Sequence, residues 1–541
     1  MHIRNDSLLF VQGVYPMRLL LTTSYSGIGF NNAPPIGLYR LKNYLKTHGF
    51  SCDVLDLSLE NASHWVQRVQ NGEYKIVGMS VSHMHMEDDI KLLSQFRSAN
   101  ISDCFFIAGG QEATYNYKQW LDAGFDAAVL GYGEYPLLAI AQSIQKYGCA
   151  DKKDLSRISG LAFYQDDEIH LVPAQPVSPE DFELLTFDNV LSTQIPYDAY
   201  WDQAKSRAKA LNLRSNVFIP ELARIYTSSH CPNHCGFCSS HRFLSFAQSS
   251  PAKPRILDAD KVFELVLHYA NTYGAKGFLF SDDEFLVSRK RATDFCNLVI
   301  RAKQNGELAQ GTMLNCQARV ADFKNPHERQ RVDSDFIKLL YAAGFHSISL
   351  GVESFSDRLR ATPVMNKKGF SGDQVFNVIQ EMIDAGITPQ VNIILFIPDT
   401  TREEIMYNMQ CGIKVMDMGC TIAVTTHLLS VPGAPCYNNA DYPHELIDIT
   451  SAITGKSIPV SKHFIPKDPF IARTADHYQQ AFNAEQESFL KRNAWPFETV
   501  HKSMLGIISF IAIADLLGEG DQAMQWRKHL DTLAQELAIA V

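Results

Sequence analysis

From residue 224 to residue 428 the chain repeats one pattern: a short apolar strand, an amphipathic helix, then a glycine. Candidate strands are Arg224–Thr227, Gly277–Phe280, Thr312–Cys316, Ser347–Leu350, Gln390–Phe396 and Thr421–Leu428. Helical patterns lie between them at Ala259–Tyr273, Arg289–Lys303, Asp335–Ala343, Asp373–Ala385 and Arg402–Met418. Gly274, Gly344, Gly386 and Gly419 follow four of these, where a left-handed cap favours a residue without Cβ. This order marks parallel βα units. Six strands are too few for a closed eight-stranded barrel, so the pattern predicts an open, partial (β/α)6 barrel. In such barrels the chemistry sits at the C-terminal strand ends, and polar residues gather there in this chain.

The first strand leads through Ser228, Ser229 and His230 into Cys231-Pro-Asn-His-Cys235-Gly-Phe-Cys238. Three thiolates spaced CxxxCxxC can hold three irons of a four-iron, four-sulfur (4Fe-4S) cluster, leaving the fourth iron open. Zinc sites usually take four protein ligands, and only His234 or His241 could supply the fourth nearby. The eleven cysteines are an odd number scattered over 541 residues, which does not read as a disulfide framework. With Phe237 before the last cysteine, the motif resembles the radical S-adenosylmethionine (SAM) superfamily, in which the open iron chelates SAM.

The resemblance covers residues 220 to 435 and implies a set of SAM-side residues. Phe237 matches the family position whose backbone contacts the adenine. Where the family often has Gly-Gly-Glu after the second strand, this chain has Phe280-Ser281-Asp282-Asp283. The aspartate-rich version resembles the branch that carries an N-terminal cobalamin domain. Gln317 and Arg319 follow on the third strand, Glu353 and Ser354 at the end of the fourth, and Asn392 on the fifth. Glu353, in Gly-Val-Glu-Ser, matches a SAM-contacting position. Asp282 and Asp283 also fit as helix-start residues, because aspartate caps helices.

Residues 17 to 148 read as a doubly wound parallel sheet. Candidate strands are Met17–Thr22, Ser51–Leu57, Ile76–Ser80, Phe105–Ala108 and Ala127–Leu130, with helical patterns between them. Ligands in such sheets bind at the strand C-termini, where Ser24, Ser80, Ser82, Gly109-Gly110 and Gly131-Tyr132-Gly133-Glu134 fall. In order, the Ser-x-Ser, the Gly-Gly with Thr114 four residues on, and Gly-Tyr-Gly-Glu resemble the cobalamin-binding domain of many radical SAM proteins. The Asp-x-His-x-x-Gly loop of other cobalamin proteins is absent from residues 17 to 40, so the lower axial ligand stays open. His83 and His85 follow the third strand. Such a domain can also persist as a scaffold without cobalamin.

The remaining segments are an N-terminal extension at 1–16, a linker at 149–220 and a mostly helical C-terminal domain at 437–541, with the barrel at 221–436. The linker holds a hairpin pattern around Gln165-Asp166-Asp167-Glu168. Leu8–Val11 is too short for a signal-peptide core, and Met504–Leu517 too short to span a bilayer. A net charge of -10 argues against a nucleic-acid partner. Free thiols and a reduced cluster point to the cytoplasm, with no membrane partner. The resemblance implies a 4Fe-4S cluster, SAM and cobalamin as cofactors, and an electron donor such as flavodoxin or ferredoxin. It implies methyl transfer to an unactivated carbon of a small-molecule or peptide substrate through a 5′-deoxyadenosyl radical. A radical rearrangement or oxidation without methyl transfer is the alternative. A cobalamin or iron–sulfur sensing protein is the alternative of another class.

Overall fold

The computed structural model describes residues 17–24, 33–97, 104–210, 221–328, 331–493 and 502–540. The extension at 1–16 and the linker's end at 211–220 lie outside them. The chain divides into two compact units: 17–24, Pro35–Ala174 and Ser451–Gly455 form the first, and Gln175–Thr450 with Lys456–Val541 form most of the second.

The first unit is a seven-stranded sheet. Its strands are β1 (Arg18–Thr23), β2 (Ser51–Asp56), β3 (Ile76–Ser80), β4 (Phe105–Gly109), β5 (Ala127–Val129), β6 (Leu161–Gln165) and β7 (Glu168–Val172), in the order β2-β1-β3-β4-β5-β6-β7. β1 to β5 pair in parallel. β1 is an unbroken apolar run because helices cover both faces: Leu19, Leu20 and Leu21 are all fully buried. The strand order reverses beside β1, which opens a crevice at the strand C-termini. The hairpin expected within the linker forms, with Asp166 and Asp167 both at positive φ, as a tight two-residue turn requires. It does not stand alone. Leu161, Ala162 and Phe163 are buried, and β6 extends the sheet antiparallel on β5.

The second unit is built on a six-stranded sheet of β8 (Leu222–Ile225), β9 (Gly277–Phe280), β10 (Met313–Ala318), β11 (Phe345–Glu353), β12 (Thr388–Phe396) and β13 (Thr421–His427). Every neighbouring pair is parallel and the spatial order follows the chain order, the open (β/α)6 arrangement expected. Alternation sets the two faces. Along β11, Ile348, Leu350 and Val352 are buried towards the helices, whereas Ser347, Ser349 and Gly351 face the half-accessible side. Helix 502–516 is buried on all sides: Gly506 fits against Ile422 and Val424 of β13, and Ser503 Oγ accepts from the Ile422 amide at 3.0 Å.

The C-terminal region is mostly helical, as expected, but opens with a strand pair that the expectation lacked. An antiparallel hairpin, β14 (His444–Thr450) and β15 (Ser457–Phe464), precedes helices 469–493, 502–516 and 520–540. Pro459 reads as a strand breaker, but it is tolerated in a two-stranded ribbon because an edge strand leaves half its amides unpaired.

Candidate functional site

The cysteine loop starts from a buried aspartate. Asp282, just past β9, is 2% exposed and accepts from the amides of Thr227 at 2.6 Å and Ser228 at 2.7 Å. The Ser228 hydroxyl donates to it at 2.8 Å, and so does the Thr227 hydroxyl. Burial pushes this carboxyl up, and the charge of Arg291 with these donors opposes that. Asp282 is therefore neither a helix-start residue nor open to a ligand. It pins the end of β8, where the chain turns into the cysteines.

Cys231, Cys235 and Cys238 are free thiols on this loop. Cys231 Sγ accepts from the amide and the side-chain amide of Asn233, both at 3.4 Å. The Cys238 amide donates to Cys235 O at 3.2 Å, folding the second half of the motif into a turn. Gly236 between them is packed so closely that a Cβ would stand 2.7 Å from Val364 O and 3.0 Å from Cys436 Sγ. Phe237 inserts its ring against the apolar cluster of Leu359, Val364, Met365, Ile394, Leu428 and Phe464, so its side chain anchors the loop. Asn366 Nδ2 donates to His234 O at 2.7 Å, and the Cys436 amide donates to Gly236 O at 3.0 Å. The loop is thus fixed from both flanks.

Burial pushes the Cys231 thiol up to about 12 and Cys238 to about 11, and raises Cys235 as well. Thiols this hard to ionise need a strong local cation to become ligands, which iron supplies. Among the described residues no three His, Cys, Asp or Glu side chains converge on a single-metal centre. A cluster does not require such convergence, because each thiolate meets its own iron. The donor set, all sulfur from one rigid loop, fits a 4Fe-4S cluster. Glu284 is a neighbour that motif reading passed over. It is buried, its carboxylate accepts from the Cys231 thiol at 3.8 Å and from Asn233 Nδ2, and burial beside Asp322 raises it.

Other residues expected on the SAM side distribute unevenly. Asp283 is exposed and accepts from Ser240 Oγ. Ser281 is half-buried, with its amide donating to Ile225 O at 2.8 Å. Gln317 is exposed, and Arg319 reaches Asn233 Oδ1. Asn392 joins Ser349 and Gln390 in a polar trio on the half-accessible face, with Asn392 Nδ2 donating to Ser349 Oγ at 3.1 Å. Glu353 ends β11 at a register shift, with φ +63°. Its carboxylate pairs with Lys367 Nζ at 2.9 Å. Ser354 turns the other way. It is fully buried, and its hydroxyl donates to Asn408 Oδ1 at 3.2 Å and accepts from the Ser356 amide, so it is a core residue and not a ligand contact.

In the first unit, the strand ends bring Ser80, Ser82, Gly109 and Gly110 to one edge. Ser80 pairs in register with Gly109. Gly110 takes φ +99°, and a Cβ there would stand 3.3 Å from Ser80 Oγ. A Cβ on Gly109 would have only Met79 O within 4 Å, at 3.9 Å, so the backbone there borders open space. Ser24 lies half-buried at the end of β1, beside the buried Asp89, whose carboxylate accepts from the Ser82 amide at 2.9 Å. Thr114 and Glu134 correct the expectation of ligand contacts. Thr114 is fully buried, accepting from Gly131 N at 3.0 Å and donating to Gly110 O at 3.1 Å, so it ties the two glycine loops together. Glu134 is buried against Arg40 at 2.6 Å. Gly133 packs on Leu41. His83 approaches Glu112 at 3.4 Å, and His85 lies 3.9 Å from Asp88. A glycine-bordered edge with hydroxyls beside it fits a large, amide-rich ligand such as cobalamin.

Residues 225–410 match the family model of the radical SAM superfamily, and residues 30–141 match that of the B12 binding domain. An uncharacterized methyltransferase of Pyrococcus horikoshii is 24% identical over 377 residues, 69% of this chain and 71% of that protein. An anaerobic magnesium-protoporphyrin IX monomethyl ester cyclase of Rubrivivax gelatinosus is 25% identical over 69% of this chain, which spans 60% of the cyclase. The radical SAM methyltransferase TsrM of Kitasatospora setae, solved with cobalamin and a 4Fe-4S cluster bound, shares the fold. Its TM-score is 0.63 at 15% identity, over 95% of this chain and all of that one. The class so defined is a radical SAM enzyme, with a 4Fe-4S cluster and SAM as cofactors. The B12 binding domain match in the same chain adds cobalamin to these cofactors.

Proposed function

We propose that this protein is a methyltransferase that places a methyl group on an unactivated carbon of a small-molecule or peptide substrate. The observation that carries the reading is the rigid three-cysteine loop at the C-terminal rim of an open parallel sheet, in a chain that also holds a B12 binding domain. When bound, the cluster with SAM supplies a 5′-deoxyadenosyl radical that takes a hydrogen atom from the substrate, and methylcobalamin supplies the methyl group.

The chain's residues divide the rest. Cys231, Cys235 and Cys238 would hold the cluster, and the Phe237 backbone would meet the SAM adenine. Asp283, Arg319 and Glu353 are the charged groups at the rim able to meet the amino, carboxylate and ribose groups of SAM. Ser281, Gln317 and Asn392 offer neutral hydrogen bonds on the same side. Ser80, Ser82, Gly109 and Gly110 border the cobalamin site, with Ser24 and Gly131 beside them. Thr114, Glu134, Asp282 and Ser354 act from behind as supports. The domain division 17–148, 149–220, 221–436 and 437–541 is part of the proposal, with the hairpin of 149–220 belonging to the first sheet. So are a flavodoxin- or ferredoxin-type electron donor and a cytoplasmic setting. Among the described residues no helix is long and apolar enough to cross a membrane.

The similarity to an anaerobic cyclase favours one second reading, a radical oxidation or cyclisation without methyl transfer. The test is product analysis with SAM, cobalamin, reductant and candidate substrates. Methyl transfer forms S-adenosylhomocysteine together with 5′-deoxyadenosine and a product heavier by one methyl group. If 5′-deoxyadenosine accompanies product while S-adenosylhomocysteine stays absent, the second reading replaces the first.

A further inference from the structure

One lysine is buried on the segment that packs against the cysteine loop. Lys367 is 6% exposed at its side chain, and its ammonium donates to Glu353 Oε1 at 2.9 Å and to Gly351 O at 3.1 Å. A lysine buried this deeply needs a charged partner. The sheet is shaped to admit the pair: a Cβ on Gly351 would stand 2.9 Å from Lys367 Nζ and 3.0 Å from Glu353 Oε1. The strand register shifts between Gly351 and Glu353, and Glu353 takes a left-handed backbone that disfavours any side chain. Something must hold that carboxylate where it is, and Lys367 is its ion-pair partner.

The segment that carries Lys367 also clamps the cysteines. Val364 backs Gly236, Asn366 donates to His234 O, and the Lys367 amide donates to Arg360 O at 2.9 Å. Lys367 follows directly on Asn366, whose side chain holds the His234 carbonyl next to Cys235. One short segment therefore touches the cysteine loop through Val364 and Asn366 and a SAM-side carboxylate through the Lys367 ammonium.

We propose that Lys367 is a positioning residue with two effects, resting on the radical SAM reading: it orients Glu353 for SAM, and its fixed charge raises the reduction potential of the cluster. A reduced cluster carries one more negative charge than its oxidised form, so a nearby cation favours reduction and a nearby anion opposes it.

The test measures the cluster midpoint potential by electron paramagnetic resonance on anaerobically reconstituted protein without SAM. SAM affinity is measured in parallel. Lys367→Met leaves an unbalanced anion, and the potential falls. Glu353→Gln leaves an unbalanced cation, and the potential rises. The double variant restores charge balance and returns close to wild type. SAM affinity drops about tenfold or more in all three, as loss of a charge-assisted hydrogen bond implies. A side chain needed only for packing would not move the potential in opposite directions. Equal potentials in all four proteins, or shifts of one sign, overturn the inference. If Lys367→Met fails to assemble a cluster, Glu353→Gln and the charge-keeping Lys367→Arg decide it. The first must raise the potential and the second must leave it in place, and either failing overturns the inference. Wild-type protein without iron would instead defeat the radical SAM reading itself.

Discussion

Gly236 lies against the carbonyl of Val364, with no room for even one more carbon: a Cβ would stand 2.7 Å from that oxygen. The cysteine loop is therefore set by backbone contact as well as by side chains. Gly236→Ala forces the loop off the 363–367 segment without touching a thiol. The expected outcome is a folded protein of wild-type helix content that binds less than half the wild-type iron after reconstitution. Iron analysis beside circular dichroism checks it.

Asp282 offers a test from the other flank. Asp282→Ala strips an acceptor from the amides of Thr227 and Ser228 and from two hydroxyls, and leaves Arg291 without its nearby carboxylate. Each buried donor left unsatisfied costs about 1–3 kcal/mol. Chemical denaturation of the second unit should show a loss of several kcal/mol, and SAM binding should fall with it. A variant as stable as wild type would return Asp282 to the list of ligand contacts.

The cobalamin edge is best probed at Gly109, because Gly110 already sits at φ +99° and any replacement there strains the backbone. Gly109→Trp fills the space in front of β4 at an ordinary φ. Cobalamin binding, read from the visible spectrum, should be abolished while the melting temperature changes little. Retained binding would move the cobalamin site away from this edge.

Asp89 gives a pH signature. Burial holds its carboxyl at about 7, above the ordinary value near 3.9. A folded-state value raised this way favours the native state below the unfolded value. That advantage is lost as pH rises from about 4 through about 7. The first unit should lose about 2–4 kcal/mol across that window. Asp89→Asn, which can still accept from the Ser82 amide, should flatten the slope. Unfolding followed at several pH values, with and without the substitution, measures it.

Elements with an apolar run or a clear helical period were legible in the sequence. Strand β9 and helix 259–273 have the bounds expected of them, and β3 likewise. The three cysteines and the glycine edge stand out in the sequence because their chemistry is local. What sequence reading missed is what depends on distant partners. The role of Asp282 rests on Thr227 and Ser228, more than fifty residues earlier. Lys367 looks like any loop lysine until β11 brings Glu353 to it. Ser354 at the end of the fourth strand and Thr114 four residues past Gly-Gly read as ligand contacts in the sequence, yet both hydroxyls are buried in hydrogen bonds to the core. Glu284 adjoins Asp283 in an acidic run, and that run was the one available signal for it. The hairpin at 444–464 escaped because its alternation is weak and Pro459 interrupts it.

The most direct test of the account reconstitutes the protein without oxygen with iron, sulfide and cobalamin, then adds SAM and a strong reductant. The expected result is about four irons per chain, bound cobalamin, and SAM cleaved to 5′-deoxyadenosine and methionine. Replacing Cys231, Cys235 and Cys238 together by Ala should abolish the iron and the cleavage and leave cobalamin bound. Intact SAM over an iron-loaded protein, or zinc at the three cysteines after the same treatment, would contradict it.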